Sequence, residues 1–184
     1  MYDIEKYFSD DEKDIRKMID DMGIDIGELE REFANYAPKT PLEYEVVSEN
    51  AVEPKYAYES DSGFDLHSTI NTTIPPFGRL LVPTGLKFNI PDGTEIQVRP
   101  KSGLALKKGL TVLNTPGTID SGYDGEIMVI MFNTTNDEVK INIGDKIAQA
   151  VLCPVVNGKW VDLIKADSIN DKERGANGFG STGM

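Results

Sequence analysis

The chain has 184 residues, of which 39% are hydrophobic, and its formal net charge at pH 7 is −12. This length allows one ordinary domain with an appendage, and no stretch approaches the roughly 20 apolar residues of a membrane-spanning helix. The negative charge argues against general binding to nucleic-acid backbones, and the single cysteine excludes an internal disulfide.

Residues 1–41 predict an acidic helical extension. They contain 12 acidic and 6 basic residues and so supply −6 of the net charge of −12. Ser9 and Glu12 have the spacing of a capping box, and apolar residues at helical spacing follow as far as Gly23. A second amphipathic helix is predicted to begin at Asp25. Two such short helices cannot bury their apolar stripes alone, so we expect the extension to pack on the main body or to bind a protein partner.

From residue 42 the apolar residues recur with a period of 2, as in strands. Residues 94–98 and 139–143 alternate between apolar and polar as half-buried strands do, and the Asn-Gly pair within residues 155–160 predicts a hairpin. Cys153 is expected in the core of a strand. Many short strands separated by turns predict an antiparallel sandwich, barrel or jelly roll, and the pattern alone does not choose among them.

The last residues, 173–184, are rich in glycine and have little besides Phe179 to anchor them. Such a segment is expected to be mobile until a ligand binds. The sequence therefore divides into an extension (1–41), a β-domain (42–172) and a mobile glycine-rich C-terminal segment (173–184).

Five polar segments suit a nucleoside triphosphate. Between them they offer carboxylates, hydroxyls, an amide, a lysine, an arginine and flexible backbone, which are the groups that bind phosphates and bases. Any one of them alone is typical of an ordinary turn or a disordered tail. The segments are residues 62–66, 100–105, 114–123, 144–149 and 174–182.

The trimeric dUTPase family has five ordered motifs, and this chain is similar to them in SGFDL, PKSGLA, NTPGTIDSGYDGEI, GDKIAQ and RGANGFGSTG. The resemblance covers roughly residues 42–184 and implies an all-β, dUTPase-like jelly roll of the β-clip type. It also implies Mg²⁺-dependent hydrolysis of dUTP to dUMP and pyrophosphate, which keeps uracil out of DNA and supplies dUMP for dTMP synthesis. Each site of a homotrimer would then take the first, second and fourth motifs from one chain, the third from a neighbour and the fifth from the remaining chain, whose tail would act as a lid.

The third motif would carry the chemistry and much of the specificity. By this resemblance, Asp120 orients and deprotonates the water that attacks the α-phosphorus. Tyr123 packs on the deoxyribose and leaves no room for a 2′-hydroxyl. Asn114 reads the uracil edge, because an amide offers both a donor and an acceptor. The backbone that would add further bonds to the base belongs to Gly117, Thr118 and Ile119.

The other motifs would hold the phosphates and the metal. Asp65 would reach Mg²⁺ through the water ligands of the ion. The phosphate chain would contact Lys101, Ser102, Gly103 and Gln149. In the lid, Phe179 would stack on uracil, and the residues expected to close on the γ-phosphate are Arg174, Ser181 and Thr182. Gly180 would be a further substrate-binding residue of the lid.

Two positions depart from the family pattern. Lys101 stands where many members have arginine, and a lysine neutralises a phosphate without gripping it bidentately. Asp124 stands where a basic or amide residue is common, which affects a subunit contact. Asp145 is expected to orient its neighbours.

Three alternatives remain open at this point. A dCTP deaminase, or a bifunctional deaminase and dUTPase, shares the fold but carries a glutamate where this chain has Ile130. A binding protein could use the same fold to sequester a partner through residues 1–41, and a capsid jelly roll would leave the five polar segments unexplained. Because His67 is the sole histidine, a metal site built from several histidines of one chain is excluded. A lone cysteine and an N-terminus without the features of a secretory signal predict the cytoplasm, or the host cytoplasm if the source is viral.

Overall fold

The computed structural model describes residues 22–23, 25, 39–169 and 175. The chain divides into two compact units, Met1–Pro41 and Leu42–Met184. The helices predicted within residues 1–41 and nearly all of residues 173–184 lie outside the described residues. In the part of the chain that is described, no helix is long and apolar enough to cross a membrane.

Within residues 42–169 the second unit consists of short antiparallel strands and one helix. The strands are β1 (Glu43–Val46), β2 (Phe64–His67), β3 (Thr72–Ile74), β4 (Arg79–Pro83), β5 (Leu86–Asn89), β6 (Thr94–Arg99), β7 (Leu110–Val112), β8 (Gly117–Asp120), β9 (Met128–Asn133), β10 (Val139–Ile141) and β11 (Lys146–Pro154), and the helix is α1 (Ser102–Lys108).

The strands form four antiparallel sheets. The largest has the order β2-β11-β6-β8, a three-stranded sheet has the order β4-β9-β7, and two pairs are β1-β5 and β10-β3. The apolar faces of the two larger sheets share one buried core, which includes Leu66 and Ile96 from the first and Val129 and Met131 from the second. The predicted all-β jelly roll is confirmed.

The strand predictions hold with two differences in length. The strand predicted at 94–98 is β6, which extends one residue further, to Arg99. The strand predicted at 139–143 ends at Ile141 because a turn begins there. Asp145 Oδ2 accepts the backbone N–H of Asn142 at 2.8 Å, and the Ile143 N–H is donated to Asn71 Oδ1 at 2.9 Å. Asp145 therefore orders its neighbours, as expected.

The prediction of a hairpin at 155–160 is wrong, because this segment forms a turn and not a pair of strands. The Asn157 side chain accepts the backbone N–H of Lys159 at 3.1 Å, and the Asn157 carbonyl accepts that of Trp160 at 2.9 Å. The turn is closed by these local bonds, and residues 161–169 that follow it form no strand.

The position predicted for Cys153 is also wrong. It lies in a strand, but Ala148 and Ala150 of β11 face the core and Cys153 falls on the other face. Its sulfur lies 3.5 Å from Nη2 of Arg99.

Helix α1 was not predicted, because residues 100–105 read as a loop. It ends at Gly109, whose φ of 60° is left-handed and whose N–H bonds to carbonyls in the last turn. A Cβ at Gly109 would lie 2.4 Å from a side-chain carbon of Thr135, so both the conformation and the space require glycine. The helix begins immediately after Lys101 and thereby fixes the second polar segment.

Candidate active site

One face of the four-stranded sheet carries the polar residues singled out in the sequence. Directly opposite residues on neighbouring strands point to the same face of a sheet. Asp65 on β2 lies opposite Gln149 on β11, and Gln149 lies opposite Arg99 on β6. At the other end of β6, Glu95 lies opposite Asp120 on β8. Because side chains alternate along each strand, this outer face is the one turned away from the apolar core.

Asp65 lies between two lysines, and we call these three residues the lysine–aspartate cluster. Lys101 Nζ donates to Asp65 Oδ1, and Lys146 Nζ donates to Asp65 Oδ2 at 2.7 Å. Burial raises the pKa of the Asp65 carboxyl, but the hydrogen bonds from Lys101 and Lys146 outweigh it and hold that pKa below its ordinary value. The hydrogen bond with Asp65 also raises the pKa of Lys146. At neutral pH the cluster therefore holds one carboxylate between two ammonium groups.

The lysine–aspartate cluster is held by α1 and β11. The Lys101 carbonyl accepts two backbone N–H groups of α1, at 3.0 and 3.1 Å, and Ser102 is the first residue of that helix. Gln149 Nε2 donates to the Pro100 carbonyl at 2.9 Å, which ties β11 to the start of the helix. Asp65, Lys101 and Gln149 together line a cavity of about 400 Å³. A polar cavity of this size can receive a charged ligand.

A second set of residues, Asn114, Gly117, Asp120 and Tyr123, lies along and beside β8, and we call it the β8 group. A Cβ at Gly117 would lie 3.1 Å from the Asn114 amide nitrogen, so this amide packs on bare backbone. Asp120 ends β8 with an exposed side chain, and its carbonyl accepts the N–H of Tyr123 at 3.0 Å. Tyr123 Oη donates to the Glu126 carbonyl at 3.0 Å, and the residue is 47% exposed. The carboxylate and the phenol are thus both open to solvent.

Asp65 and Asp120 lie at opposite ends of the sheet, although the β8 group extends back to Gly117, which lies opposite Val98. Asp65 shares a row with Arg99, whereas Asp120 shares a row with Glu95, four residues away along β6. Three strand spacings and four residue rises separate the Cα atoms of Asp65 and Asp120 by roughly 20 Å. One ligand the size of a nucleotide phosphate therefore cannot contact both carboxylates of one chain.

The residues predicted from the sequence thus divide into three sets. At the end of the sheet with the lysine–aspartate cluster lie Asp65, Lys101, Ser102, Gly103 and Gln149. Along and beside β8 lie Asn114, Gly117, Thr118, Ile119, Asp120 and Tyr123. Outside the described residues lie Arg174, Phe179, Gly180, Ser181 and Thr182.

Sequence reasoning assigned no role to Lys146 or Gly125, and the structure gives both a place beside predicted residues. Lys146 bonds Asp65, and its position in the fourth polar segment was the available signal. A Cβ at Gly125 would lie 2.4 Å from Tyr123 Oη, so the tyrosine ring occupies the space of a missing side chain. The sequence alone does not predict the position of the Tyr123 ring.

The Asp65 carboxylate fits a magnesium ion that arrives with a phosphate ligand. Among the described residues, no three His, Cys, Asp or Glu side chains gather as a metal cage. Mg²⁺ needs no such cage, since it keeps several waters and is bound through one or two carboxylates plus substrate phosphates. The ionised Asp65 carboxylate lies at the edge of a polar cavity that Asp61 also lines, which matches this pattern.

Sequence comparison finds close relatives over most of the chain. The model of the family described as dUTPase matches residues 49–183. A deoxyuridine 5′-triphosphate nucleotidohydrolase of Nautilia profundicola is 49% identical over 142 residues, which are 77% of this chain and 98% of the relative. The enzyme of the same description from Clostridium novyi is 48% identical over 140 residues, which are 76% of this chain and 96% of the relative.

Solved structures show the same fold. The dUTPase of Staphylococcus bacteriophage 80alpha, as a mutant with dUpNHpp, superposes with a TM-score of 0.73 at 24% identity and covers 79% of this chain and all of its own. The dUTPase of phage phi11 of S. aureus, described with a structural Mg(II) ion, has a TM-score of 0.64 at 24% identity and covers 70% of this chain and 98% of its own.

Proposed function

The chain belongs to the dUTPase family, and we propose that it hydrolyses dUTP to dUMP and pyrophosphate by attack of water on the α-phosphorus. This reaction keeps uracil out of DNA and supplies dUMP for dTMP synthesis. The observation that carries the proposal is the family match over residues 49–183, which spans all five polar segments. Ile130 lies in β9 opposite Leu81, so an aliphatic residue stands where a deaminase of this fold would carry its glutamate.

The phosphate chain binds at the end of the sheet that carries the lysine–aspartate cluster. Lys101 and Ser102 offer an ammonium and a hydroxyl at the start of α1, and Gln149 offers its amide from β11. Lys146 adds a second ammonium, 2.7 Å from Asp65. These local cations supply the attraction that a chain of net charge −12 lacks at long range.

The β8 group supplies the chemistry. The exposed Asp120 carboxylate accepts a proton from water while that water attacks the α-phosphorus, and pyrophosphate leaves. Tyr123 packs on the deoxyribose, and its ring excludes a 2′-hydroxyl. Asn114 reads the uracil edge, together with the backbone of residues 117–119.

Magnesium completes the phosphate site. Asp65 would hold the ion through its water ligands, since Mg²⁺ is bound through one or two carboxylates together with substrate phosphates. When bound, Mg²⁺ neutralises charge on the phosphate oxygens.

We further propose that the active enzyme is a homotrimer with shared sites. The separation of Asp65 from Asp120 within one chain supports this, because a site that uses both must take them from different copies. Apolar side chains at 155–169 also support it, since Leu163 is 96% exposed and Ile164 is 84% exposed in the single chain. Residues 173–184 would close over the nucleotide from the remaining copy, through Arg174 and Phe179.

Two proposals concern the rest of the chain. Residues 1–41 pack on the exterior of the assembly or bind another protein, and in either case take no part in turnover; a pull-down and an activity assay with and without them test this. The enzyme works in the cytoplasm, or in the host cytoplasm if its source is viral, where its nucleotide substrate occurs; fractionation of the source cells tests this.

The test is pyrophosphate release from a panel of dNTPs and UTP, with wild type and Asp120→Asn. We expect activity on dUTP alone that disappears with EDTA and returns with Mg²⁺. Loss of the proton acceptor in Asp120→Asn should lower kcat by about 10²- to 10⁴-fold. A wild-type protein that leaves dUTP intact, or an Asp120→Asn variant as fast as wild type, would refute the proposal.

A further inference from the structure

We propose that Gly125 is a specificity-determining position, because the space left by its missing side chain holds the Tyr123 ring where it rejects ribonucleotides. Gly125 acts through Tyr123 and is a positioning residue. The inference rests on the proposed function, since it requires that Tyr123 meets the sugar of the substrate.

The space around Gly125 is filled by the tyrosine. A Cβ at position 125 would lie 2.4 Å from Tyr123 Oη, 2.5 Å from Cζ and 3.1 Å from Cε1. The first two distances are shorter than any relaxed contact between carbon and a heavy atom, so the ring must move if Gly125 gains even a methyl group. The φ of Gly125 lies outside the left-handed region, so the glycine is needed for space.

The same end of the ring is also held by a hydrogen bond. Tyr123 Oη donates to the Glu126 carbonyl at 3.0 Å, and the Glu126 carboxylate in turn accepts the Gly85 N–H at 2.6 Å. The Tyr123 backbone is bonded to Asp120, the proposed proton acceptor, at 3.0 Å. The ring is therefore fixed relative to Asp120 by one close packing contact and two hydrogen bonds.

The exposed side of the ring is what a sugar would meet. Tyr123 is 47% exposed, although part of its ring lies against Gly125. Steric rejection of a 2′-hydroxyl requires that the ring cannot retreat, since the added group is a single oxygen. A ring displaced by a methyl group at position 125 no longer sets this boundary, and a ribonucleoside triphosphate gains access.

The experiment compares Gly125→Ala with Gly122→Ala in the full chain. A Cβ at Gly122 meets no atom within 4 Å, and its φ is likewise not left-handed, so this variant adds the same methyl group in the same loop without touching the ring. We expect Gly125→Ala to lower the ratio of kcat/KM for dUTP to that for UTP by about 10-fold or more, and Gly122→Ala to leave it at the wild-type value. An unchanged ratio in a folded Gly125→Ala variant would overturn the inference.

A double-mutant cycle separates positioning from a general structural effect. In the Tyr123→Ala background the ring is gone, so adding Gly125→Ala should change the dUTP/UTP ratio no further. A second drop of similar size there contradicts the inference. If Gly125→Ala alone fails to fold, the double variant Tyr123→Ala/Gly125→Ala decides, because the three nearest atoms that the added methyl group would meet all belong to Tyr123: a double variant that folds supports the inference, and one that still fails to fold refutes it.

The proposed function and this inference fail in different ways. Wild-type protein inactive on dUTP defeats the function. Wild-type protein that is active and selective, with a Gly125→Ala variant equally selective, defeats only the role of Gly125.

Discussion

Lys101 and Lys146 bind different oxygens of the Asp65 carboxylate, so one anion is shared between two cations. Under the proposed function, the oxygens of a bound triphosphate would accept from the same ammonium groups, and the Asp65 carboxylate would then be available to the water ligands of Mg²⁺. The Asp65 carboxyl group is ionised at neutral pH, because the two lysines hold its pKa below the ordinary value. If the cluster binds phosphate as proposed, its charged groups are already assembled before the ligand arrives.

Replacing Lys146 by glutamine tests the role of this second ammonium. Lys146→Gln should raise the KM for dUTP by about 10-fold while kcat changes less, because a charged hydrogen-bond donor is lost from the phosphate end and Asp120 is untouched. Steady-state kinetics at saturating Mg²⁺ measure both constants.

Lys159→Gln is the matched control. Lys159 is also paired with an aspartate, Asp92, and its side chain is 60% exposed, against 57% for Lys146. Lys159→Gln should leave the KM for dUTP unchanged. An equal rise in KM in both variants would mean that the loss of overall positive charge, and not the position of Lys146, is responsible.

Among the elements, α1 shows how a short helix fixes the conformation of the second polar segment, residues 100–105. It begins one residue after Lys101 and ends at Gly109, whose left-handed φ allows the chain to turn directly into β7. Two glycines of this region have opposite requirements, since Gly103 lies in the helix with open space around it and Gly109 has neither the space nor the φ for a side chain.

Alanine substitutions at the two glycines should therefore change the free energy of unfolding in opposite directions. Gly109→Ala should lower the free energy of unfolding by more than about 1 kcal/mol, because it forces a Cβ into a left-handed conformation and against Thr135. Gly103→Ala should raise it by about 0.5–1 kcal/mol through helix propensity. Urea denaturation at fixed protein concentration measures both, and destabilisation by Gly103→Ala as large as that by Gly109→Ala would contradict the assignment.

Sequence patterns predicted the strands well where the period of 2 was clear, as at β6, and less well where side chains bond local backbone, as at Asn157. The five polar segments identified Asp65, Gln149 and Asp120, and alternation along strands accounts for their common face. The sequence did not reveal α1, because a helix of seven residues that includes a glycine has little propensity signal. Nor did it reveal the contact of Gly125 with Tyr123, which depends on the placement of one ring.

For the whole molecule, the roughly 20 Å between Asp65 and Asp120 makes a definite prediction about mixed assemblies. Asp120→Asn and the double variant Lys101→Ala/Ser102→Ala should each be nearly inactive. Co-refolded in equal amounts, they should recover about one quarter of wild-type activity, because each mixed trimer contains one site with both halves intact. Pyrophosphate release before and after co-refolding measures the recovery.

The size of the assembly is the control for this mixing experiment. Wild type and both variants should sediment with about three times the mass of the 20.3 kDa chain. Trimers that show no recovery on mixing would place a complete site within each chain and refute shared sites.

Under the proposed function, the separation of Asp65 from Asp120 across the sheet also has a consequence for the cell. If the active sites are shared between copies, a newly synthesised chain would be inactive until it assembles with its copies. Near the concentration at which the assembly dissociates, doubling synthesis would more than double the rate of dUTP removal. The amount of protein made would then act as a threshold for uracil exclusion.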